Sequence, residues 1–259
     1  MSTPTALVTG GSTGLGAAFA DHLAARGYDL VLVARDRVRL ERAAERLRQS
    51  SGVAVEVIAA DLTDPDQRAV VEGRLADPTR PVDVLVNNAG VKCRGDFQHA
   101  PLPALTHEVE LNVVAVVALT RAALPAMTAR GRGAVVNVAS FAGYLSPAGS
   151  AYGATKAWVL AFTDSVAASL AGTGVQMVAV CPGRIRSRGE REPQDEAAPT
   201  SGRSLLQVDA TDVVARSMAD LARGRTLSTP GMAHRSVVAF LEFPRRALRR
   251  LAAATGHGR

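Results

Sequence analysis

Tyr152 and Lys156 stand four residues apart in the stretch Ser150–Trp158, where they place a phenol and a cation close together. On a helix, residues with this spacing lie on one face, about 5–6 Å apart at Cβ. A tyrosine titrates at about pH 10, and a nearby positive charge lowers that pKa. The pair is therefore predicted to transfer protons. The alternative is a chance Tyr/Lys pair on a surface helix.

Lysine is scarce elsewhere in the chain. The 30 basic residues comprise 28 arginines and two lysines, Lys92 and Lys156. A compact ammonium can hydrogen-bond a sugar hydroxyl and approach a phenol, where a planar guanidinium fits badly. This contrast favours a specific role for Lys156, although two lysines can also fall in these places by chance.

Composition limits the class of protein. The length of 259 residues and the lack of a linker rich in Pro, Gly or Ser indicate one domain, 1–259. We expect a soluble, cytoplasmic protein, because no apolar run reaches 18 residues and no charged-then-apolar leader precedes Ala6. Cys93 and Cys181 lack metal-ligand spacing, so free thiols and no metal site are expected.

The net charge of +6 raises the possibility of nucleic-acid binding. However, the arginines are scattered among acidic residues, and no basic run is interleaved with aromatic residues as a stacking platform requires. We therefore predict no nucleic-acid partner, and a small molecule as the ligand instead.

A glycine-rich segment, 10–16, lies between a β-type run, 5–9, and a helical pattern, 17–25. Glycines let the backbone turn tightly and approach a pyrophosphate, whose charge is met by amide groups and by the positive end of the helix. The spacing is G-x-x-x-G-x-G, which differs from the more common G-x-G-x-x-G. A tight strand-to-helix turn without a ligand would also need such glycines.

Arg35 directly follows the second predicted strand, 29–34, where the adenosine ribose of a dinucleotide would lie. A guanidinium at this place suits a 2′-phosphate, and this predicts NADP(H). A shift of one residue would place the Asp36 carboxylate there instead. Arg37 and Arg39 can equally be solvent-facing residues of the following helix.

Strand and helix patterns alternate every 20–30 residues. This alternation predicts an α/β fold with a doubly wound parallel sheet and helices on both faces. Ligands of such sheets bind beyond the carboxyl ends of the strands. Ser140 follows a predicted strand at such an end, although an ordinary ST turn would explain it too. Asn112, inside an apolar helix predicted over 111–127, needs a hydrogen-bonding partner. The further strands are predicted over 53–59, 82–86, 134–138 and 175–180.

The chain contains, in this order, Thr9-Gly10-x-x-x-Gly14-x-Gly16, Asn87-Asn88-Ala89-Gly90, Asn112, Ser140, Tyr152-x-x-x-Lys156 and Pro182-Gly183. In their order and spacing, these motifs resemble the short-chain dehydrogenase/reductase family over about residues 5–187. The resemblance implies a Rossmann-type fold with four catalytic residues. Tyr152 would donate or accept the proton, and Ser140 would orient and polarise the substrate oxygen. Lys156 would bind the nicotinamide ribose and lower the Tyr152 pKa, and Asn112 would hold a proton-relay water.

The resemblance also implies a cofactor site. Residues lining the pyrophosphate and the adenosine phosphate would be Gly10, Ser12, Thr13, Gly14, Leu15, Gly16 and Arg35. The adenine and riboses would contact Asp61, Leu62, Asn88, Ala89 and Gly90. The nicotinamide would contact Tyr152, Lys156, Pro182, Gly183 and Ile185.

Two departures from the family pattern stand out. Ser140 and Tyr152 are twelve residues apart, one fewer than is usual in the family. Either the intervening loop is tightened, or Ser146 or Ser150 takes the role of Ser140. Ser187 stands near the position where the family often has Thr, and this change keeps the hydroxyl.

Two segments beyond the motifs have predicted roles. The polar stretch 184–204 is expected to be a mobile substrate lid, or else a disordered insertion. A helix capped by Asp209 or Thr211 should follow it. The basic tail, 236–259, includes a short amphipathic piece at 244–251 that is expected to pack on the protein or on a second subunit.

Taken together, the sequence predicts an NADP(H)-dependent reductase of ketones or aldehydes, acting in reverse as an alcohol dehydrogenase. The resemblance implies a homodimer or homotetramer that pairs through helices 111–127 and 152–171. A non-catalytic, NADP(H)-binding sensor or scaffold of the same fold is the alternative. Dehydration or epimerisation on the same scaffold is a third possibility, without an added acid, base or metal cluster to support it.

Overall fold

The computed structural model describes residues 3–93, 97–145, 151–186, 207–231 and Val238. The strands are β1 Thr5–Thr9, β2 Asp29–Ala34, β3 Val55–Ala59, β4 Val84–Asn87, β5 Gly133–Val138, β6 Val175–Val180, β7 Arg184–Arg186, β8 Gln207–Asp209 and β9 Leu227–Ser228. The α-helices are α1 Gly14–Ala24, α2 Arg37–Ser51, α3 Pro65–Ala76, α4 Leu102–Val109, α5 Ala115–Ala129, α6 Ala151–Ser169 and α7 Ala210–Ala222.

Seven strands form one parallel sheet in the order β3-β2-β1-β4-β5-β6-β9. Its central strands are runs of Val, Leu and Ala that are buried on both faces, as expected for a parallel sheet covered by helices. On one face, Phe19 of α1 and Leu40 of α2 pack on the sheet. On the other face, Leu75 of α3 and Leu119 of α5 do so. The predicted doubly wound α/β fold is confirmed.

Aspartates at the starts of three helices explain where those helices begin. Asp36 accepts a hydrogen bond from the Arg39 amide at the start of α2, and Asp64 caps α3 in the same way. At the start of α7, Asp209 accepts a hydrogen bond from the Thr211 amide. Of the two predicted caps, Asp209 and Thr211, the structure confirms Asp209. The helix after the glycine segment begins at Gly14, three residues earlier than predicted.

The apolar helix predicted from residue 111 begins earlier, at Leu102. It is continuous from α4 through a π-helical turn, Glu110–Val114, into α5. The polar residues of α4 interrupt the apolar pattern, so the sequence did not predict a helix over this segment. Within the described residues, 102–129 is the one helix long and apolar enough to match a membrane span. That match rests on length and composition alone, and the buried Leu119 and Met127 pack in the core.

Much of the predicted lid and tail lies outside the described residues, namely 187–204 and all of 236–259 except Val238. Ser146, Ser150 and Ser187 also lie outside them. The first residues of the predicted lid form β7, which pairs in parallel with β8. The stretch 187–206 thus starts and ends at neighbouring strands.

Candidate active site

The glycine segment packs so tightly that side chains would not fit at two of its positions. Gly10 has a φ of +65° and donates a hydrogen bond to the Val33 carbonyl at 2.7 Å. A Cβ at Gly16 would overlap the Gly10 carbonyl oxygen and come within 2.5 Å of Asn88 Nδ2. The first turn of α1 contains no acidic residue. The backbone amide groups and the positive end of the dipole at this helix start therefore suit an anionic group such as a pyrophosphate.

Thr9 joins the glycine segment to the end of β4. Its hydroxyl accepts hydrogen bonds from the amides of Asn88, at 2.9 Å, and Ala89, at 3.0 Å, and donates to the Val86 carbonyl. Asn88 Nδ2 in turn donates to the Thr9 carbonyl at 2.9 Å. These bonds bring together two predicted cofactor-binding segments. Thr9 was part of the sequence motif, but its linking role is visible only once β1 and β4 are neighbours.

The end of β2 separates the roles of Arg35 and Asp36. The Asp36 carboxylate caps α2 and lies 3.6 Å from Arg39 Nε, so it is engaged away from the strand end. Arg35 is exposed at the carboxyl edge, and its charge acts on Asp61 at the end of β3. Partial burial tends to raise the pKa of Asp61. Hydrogen bonds from Thr63 and the positive charges of Arg35 and His107 outweigh burial, so that pKa lies below its usual value.

Asn112 lies in the π-helical turn and is 1 % exposed. Its Oδ1 accepts from the Val91 amide at 2.9 Å, and its Nδ2 donates to the Val91 carbonyl at 2.8 Å and to Thr155 Oγ1 at 3.1 Å. The predicted need for hydrogen-bonding partners is thereby met. The Asn112 amide hydrogens are thus used to hold the loop after β4 and to bind α6. That Asn112 also holds a relay water stays a prediction.

Gly90 lets two site residues approach the loop after β4. A Cβ there would lie 3.1 Å from Asn112 Oδ1 and 3.3 Å from Lys156 Nζ. Both separations are tighter than ordinary carbon contacts. The absence of a side chain at Gly90 therefore allows Asn112 and Lys156 to lie close to the backbone of the loop after β4.

Ser140 follows β5 and caps a short 3₁₀ turn, Phe141–Gly143, by accepting from the Ala142 amide at 3.2 Å. A Cβ at Gly143 would come within 2.9 Å of the Ala157 amide nitrogen, so the turn lies directly on the backbone of α6. The Ser140 hydroxyl donates a hydrogen bond to the Tyr152 hydroxyl oxygen. The short spacing between the two residues is therefore accommodated by a tight turn, and Ser140 reaches Tyr152.

The Tyr152 pKa differs from the sequence prediction, which was wrong on this point. Burial raises this pKa above its usual value, the Ser140 hydrogen bond acts against that rise, and the charges of Glu108 and Cys181 add to it. The expected lowering by Lys156 fails because the ammonium is directed elsewhere and because desolvation of the phenolate dominates.

Lys156 is buried beside Tyr152, with its Nζ atom 5.7 Å from the centre of the ring. Nζ donates a hydrogen bond to the Val138 carbonyl at the end of β5, at 2.8 Å. Burial lowers the pKa of Lys156 to about 8, and the negative charge of Glu108 partly opposes this effect. The α6 helix thus presents an amine that can change protonation state near neutral pH.

The segment after β6 closes the site on the side of Ser140. The Pro182 carbonyl accepts from the Phe141 amide at 3.0 Å, and Ile185 packs against the core of one sheet face. Cys181 is fully buried, as predicted, whereas Cys93 is only partly buried. The remaining predicted cofactor residues follow β1, β3 and β6 at the same edge of the sheet: Ser12, Thr13 and Leu15 after β1, Leu62 after β3, and Gly183 after β6.

Sequence reasoning missed two further residues of this site. Thr155 Oγ1 donates to the Tyr152 carbonyl at 2.8 Å and accepts from Asn112, so it links α6 to the π-helical turn. Glu108 is completely buried and acts on both Tyr152 and Lys156. The spacing of Glu108, four residues before Asn112, was the available signal, because it places both side chains on one helix face.

The chain is similar to known proteins over most of their length. The chain is 33% identical over 223 residues to the ketoacyl reductase HetN of a Nostoc species, covering 86% of this chain and 76% of that protein. A short-chain dehydrogenase from Sphingobium yanoikuyae, solved in complex with NADPH, has a TM-score of 0.84 and 35% identity, with 95% of each chain covered. The bulky-bulky ketone specific alcohol dehydrogenase of Comamonas testosteroni has a TM-score of 0.83 and 32% identity, covering 96% of this chain and 95% of that one.

The family described as short chain dehydrogenase matches residues 4–197. This range takes in every strand from β1 to β7 and all the site residues described above. The chain therefore belongs to the short-chain dehydrogenase family of oxidoreductases.

Proposed function

We propose that the protein transfers a hydride between NADP(H) and a carbonyl or secondary alcohol, with Tyr152 as the proton donor or acceptor. The observation that carries the proposal is the contact of the Ser140 and Tyr152 hydroxyls beside the buried Lys156 ammonium. This cluster lies at the same sheet edge as the glycine segment. Bound NADPH would supply the hydride, and the chain would supply the proton and the positioning.

In the reductive direction, Tyr152 holds the proton that the substrate oxygen receives. The raised pKa of Tyr152 keeps the hydroxyl protonated at neutral pH, as a proton donor requires. Ser140 is hydrogen-bonded to the Tyr152 hydroxyl, so it would meet the same substrate oxygen and polarise the carbonyl. Lys156 would bind the nicotinamide ribose. Asn112 would hold the loop after β4 in place beside this ribose.

The choice of NADP(H) over NAD(H) rests on the end of β2. Arg35 is exposed there, while the neighbouring carboxylate of Asp36 is engaged in capping α2. A guanidinium can pair with a 2′-phosphate, whereas an NAD-binding site would need a free carboxylate at the end of β2 to receive the 2′-hydroxyl. The similar Sphingobium protein was solved with NADPH, which supports the same choice.

The substrate class is a ketone or aldehyde, in line with the names of the similar proteins, a ketoacyl reductase and an alcohol dehydrogenase for bulky ketones. We further propose a soluble, cytoplasmic homodimer or homotetramer of single-domain subunits. In this arrangement, 184–204 would cover the substrate as a lid.

The first experiment measures binding of NADPH and NADH by cofactor fluorescence on the wild type, Arg35→Ala and Arg42→Ala. Arg42 is an exposed arginine of α2 and serves as the control of equal charge change. We expect tight NADPH binding that weakens at least about tenfold in Arg35→Ala alone, with NADH binding unchanged. Equal loss in both variants would contradict a 2′-phosphate site at Arg35.

The second experiment measures NADPH oxidation with a panel of aryl ketones, aldehydes and acetoacetyl thioesters. Tyr152→Phe should lower kcat/KM by about 10²–10⁴-fold, the usual contribution of a general acid. Unchanged turnover in this variant would contradict the mechanism. Tight NADPH binding without turnover of any carbonyl would instead favour a cofactor-binding sensor or scaffold.

A further inference from the structure

Glu108 of α4 is a carboxylic acid that the fold buries completely, with an exposure of 0%. Its Oε2 atom accepts a hydrogen bond from the Cys93 amide at 2.5 Å. Its Oε1 atom is buried and has no hydrogen-bond partner within the part of the chain that the structure describes. Burying a polar group without partners costs free energy, so the position of Glu108 requires a compensating role.

The location of Glu108 suggests such a role. Glu108 and Asn112 are one helical turn apart, and their side chains hold the two ends of one short segment. Asn112 binds the amide and carbonyl of Val91, and Glu108 binds the amide of Cys93. The adjoining Gly90 is where Lys156 Nζ approaches the backbone. The two side chains thus shape the wall of the site next to Lys156.

The charge of Glu108 also reaches the proton-transfer pair. Burial raises the pKa of Tyr152 and lowers that of Lys156, whereas Glu108 raises both. The helix that carries Glu108 packs against α6, which carries both of these residues. A glutamine could accept the Cys93 hydrogen bond equally well, so this bond alone does not require a carboxylate.

We propose that Glu108 is a positioning residue for proton transfer: it anchors the 91–93 segment at Cys93 and supplies the negative charge that keeps the buried Lys156 protonated beside Tyr152. Its role in turnover rests on the function proposed above. A protonated Lys156 is the form that has all three N–H groups available, and can therefore donate to a ribose while keeping its hydrogen bond to the Val138 carbonyl.

Several titratable groups surround this carboxylate. Tyr152 and Lys156 face it from α6, and Cys93 contacts it from the loop after β4. Lys92, in the same loop, is exposed. His107 and Glu110 flank Glu108 on its own helical segment, and Glu110 pairs with Arg68 at 3.9 Å. Of these groups, Lys156 can be observed separately, because the chain contains only two lysines.

The test is a pH titration of the Lys156 Nζ signal by NMR on protein labelled with ¹⁵N-lysine, assigned with Lys92→Arg. It is performed on the wild type, Glu108→Gln and the control Glu110→Gln, without cofactor or substrate. Glu108→Gln preserves side-chain size and the Cys93 hydrogen bond. We expect its Lys156 midpoint to lie about half a pH unit or more below the wild-type value, with Glu110→Gln unchanged.

Turnover provides a second measurement. The pH profiles of carbonyl reduction and alcohol oxidation should both move to lower pH in Glu108→Gln, because the loss of a negative charge lowers the Tyr152 pKa as well. An unmoved Lys156 midpoint in a folded Glu108→Gln protein would overturn the proposal, whatever the turnover rate. A wild type that fails to reduce carbonyls would refute the proposed function alone, since the NMR titration does not depend on it.

A variant that keeps the charge covers the case in which Glu108→Gln fails to fold. Glu108→Asp withdraws the carboxylate by one methylene from the 91–93 segment. We expect the Lys156 midpoint to fall in this variant too, by less than a full loss of charge would cause. A midpoint equal to that of the wild type would contradict the proposal.

Discussion

The ammonium nitrogen of Lys156 lies 5.7 Å from the centre of the Tyr152 ring, one helical turn away, and its hydrogen bond goes to the Val138 carbonyl. This amine is 4 % exposed, and burial lowers its pKa to about 8. The site therefore holds a cation that the folded chain solvates poorly. A residue placed in this way should serve function at the expense of stability.

Replacing Lys156 by Met should raise the stability of the folded protein near pH 7 while removing activity. The pKa of Lys156 in the folded protein, about 8, lies below its ordinary value of 10.5. Between these pH values the unfolded chain binds more protons, so the free energy of unfolding of the wild type rises with pH. At neutral pH, the buried charge of Lys156 lowers the free energy of unfolding by about 3 kcal/mol at most. The hydrogen bond to Val138 reduces this cost.

Urea unfolding at pH 7 and pH 9.5 tests this prediction. Lys156→Met should have its largest advantage at pH 7, and the advantage should shrink by pH 9.5. Lys92→Met, a change at an exposed lysine, should track the wild type at both values. A difference between Lys156→Met and the wild type that is independent of pH would show that the amine titrates normally in the folded protein.

Replacing Ser140 by Ala should slow carbonyl reduction by about 10²–10³-fold, the usual effect of losing a donor to a developing oxyanion. The hydrogen bond from Ser140 lowers the Tyr152 pKa, so its loss raises that pKa further. In the oxidative direction, where Tyr152 must be deprotonated, the rising limb of the pH–rate profile should move to higher pH.

Ser140→Thr restores the hydroxyl and should recover most of the rate, whereas Ser169→Ala, far along α6, should have no effect. Rates are measured from the absorbance of NADPH over pH 6–10. If Ser140→Ala kept the wild-type pH profile at a reduced rate, the role of the Ser140 hydroxyl would be limited to capping the turn at Ala142.

Replacing Gly16 by Ala should weaken NADPH binding at least about tenfold and destabilise the fold by about 1–3 kcal/mol, as overpacking does. The added methyl group would overlap the Gly10 carbonyl and press on Asn88 Nδ2. Gly73, in the middle of α3, has nothing within 4 Å of a Cβ, so Gly73→Ala is the matched control.

Gly73→Ala should leave binding unchanged and stabilise the protein by about 0.5–1 kcal/mol, because it removes a glycine from a helix interior. Isothermal titration with NADPH and thermal unfolding measure the two quantities. Normal binding by Gly16→Ala would mean that the turn between β1 and α1 relaxes without consequence for a cofactor.

The sequence was sufficient for the parts of the fold that depend on local pattern. Runs of Val, Leu and Ala predicted β1 to β6, and the glycine spacing predicted the turn before α1. The short strands β7, β8 and β9 were not predicted. The hydrogen-bonding need of Asn112 was also visible, because an amide in an apolar helix requires partners. Its partners, Val91 and Thr155, were not visible, since they come from two other segments.

The electrostatics of the site depended on tertiary structure. A Tyr/Lys pair at helical spacing indicates a lowered phenol pKa only if the ammonium reaches the hydroxyl and the phenol stays solvated, and neither condition follows from spacing. Glu108 was not predicted as a site residue, yet it is completely buried. Arg35 and Asp36 could be told apart only when Asp36 was seen to cap α2.

Replacing Val117 by Arg should break the proposed oligomer and leave a monomer. Val117 is 40% exposed on α5, and Ala161 is exposed on α6, the two helices through which the family resemblance implies pairing. An arginine at either position would bring a charge into a closely packed apolar interface.

Val38→Arg on α2, where the valine is 62% exposed, adds the same charge away from these helices. In sedimentation equilibrium, the wild type and Val38→Arg should have the mass of a dimer or tetramer, and Val117→Arg and Ala161→Arg that of one 27.0 kDa chain. A wild type that sediments as a monomer would refute the pairing, and oligomers of all four proteins would place the interface on another surface.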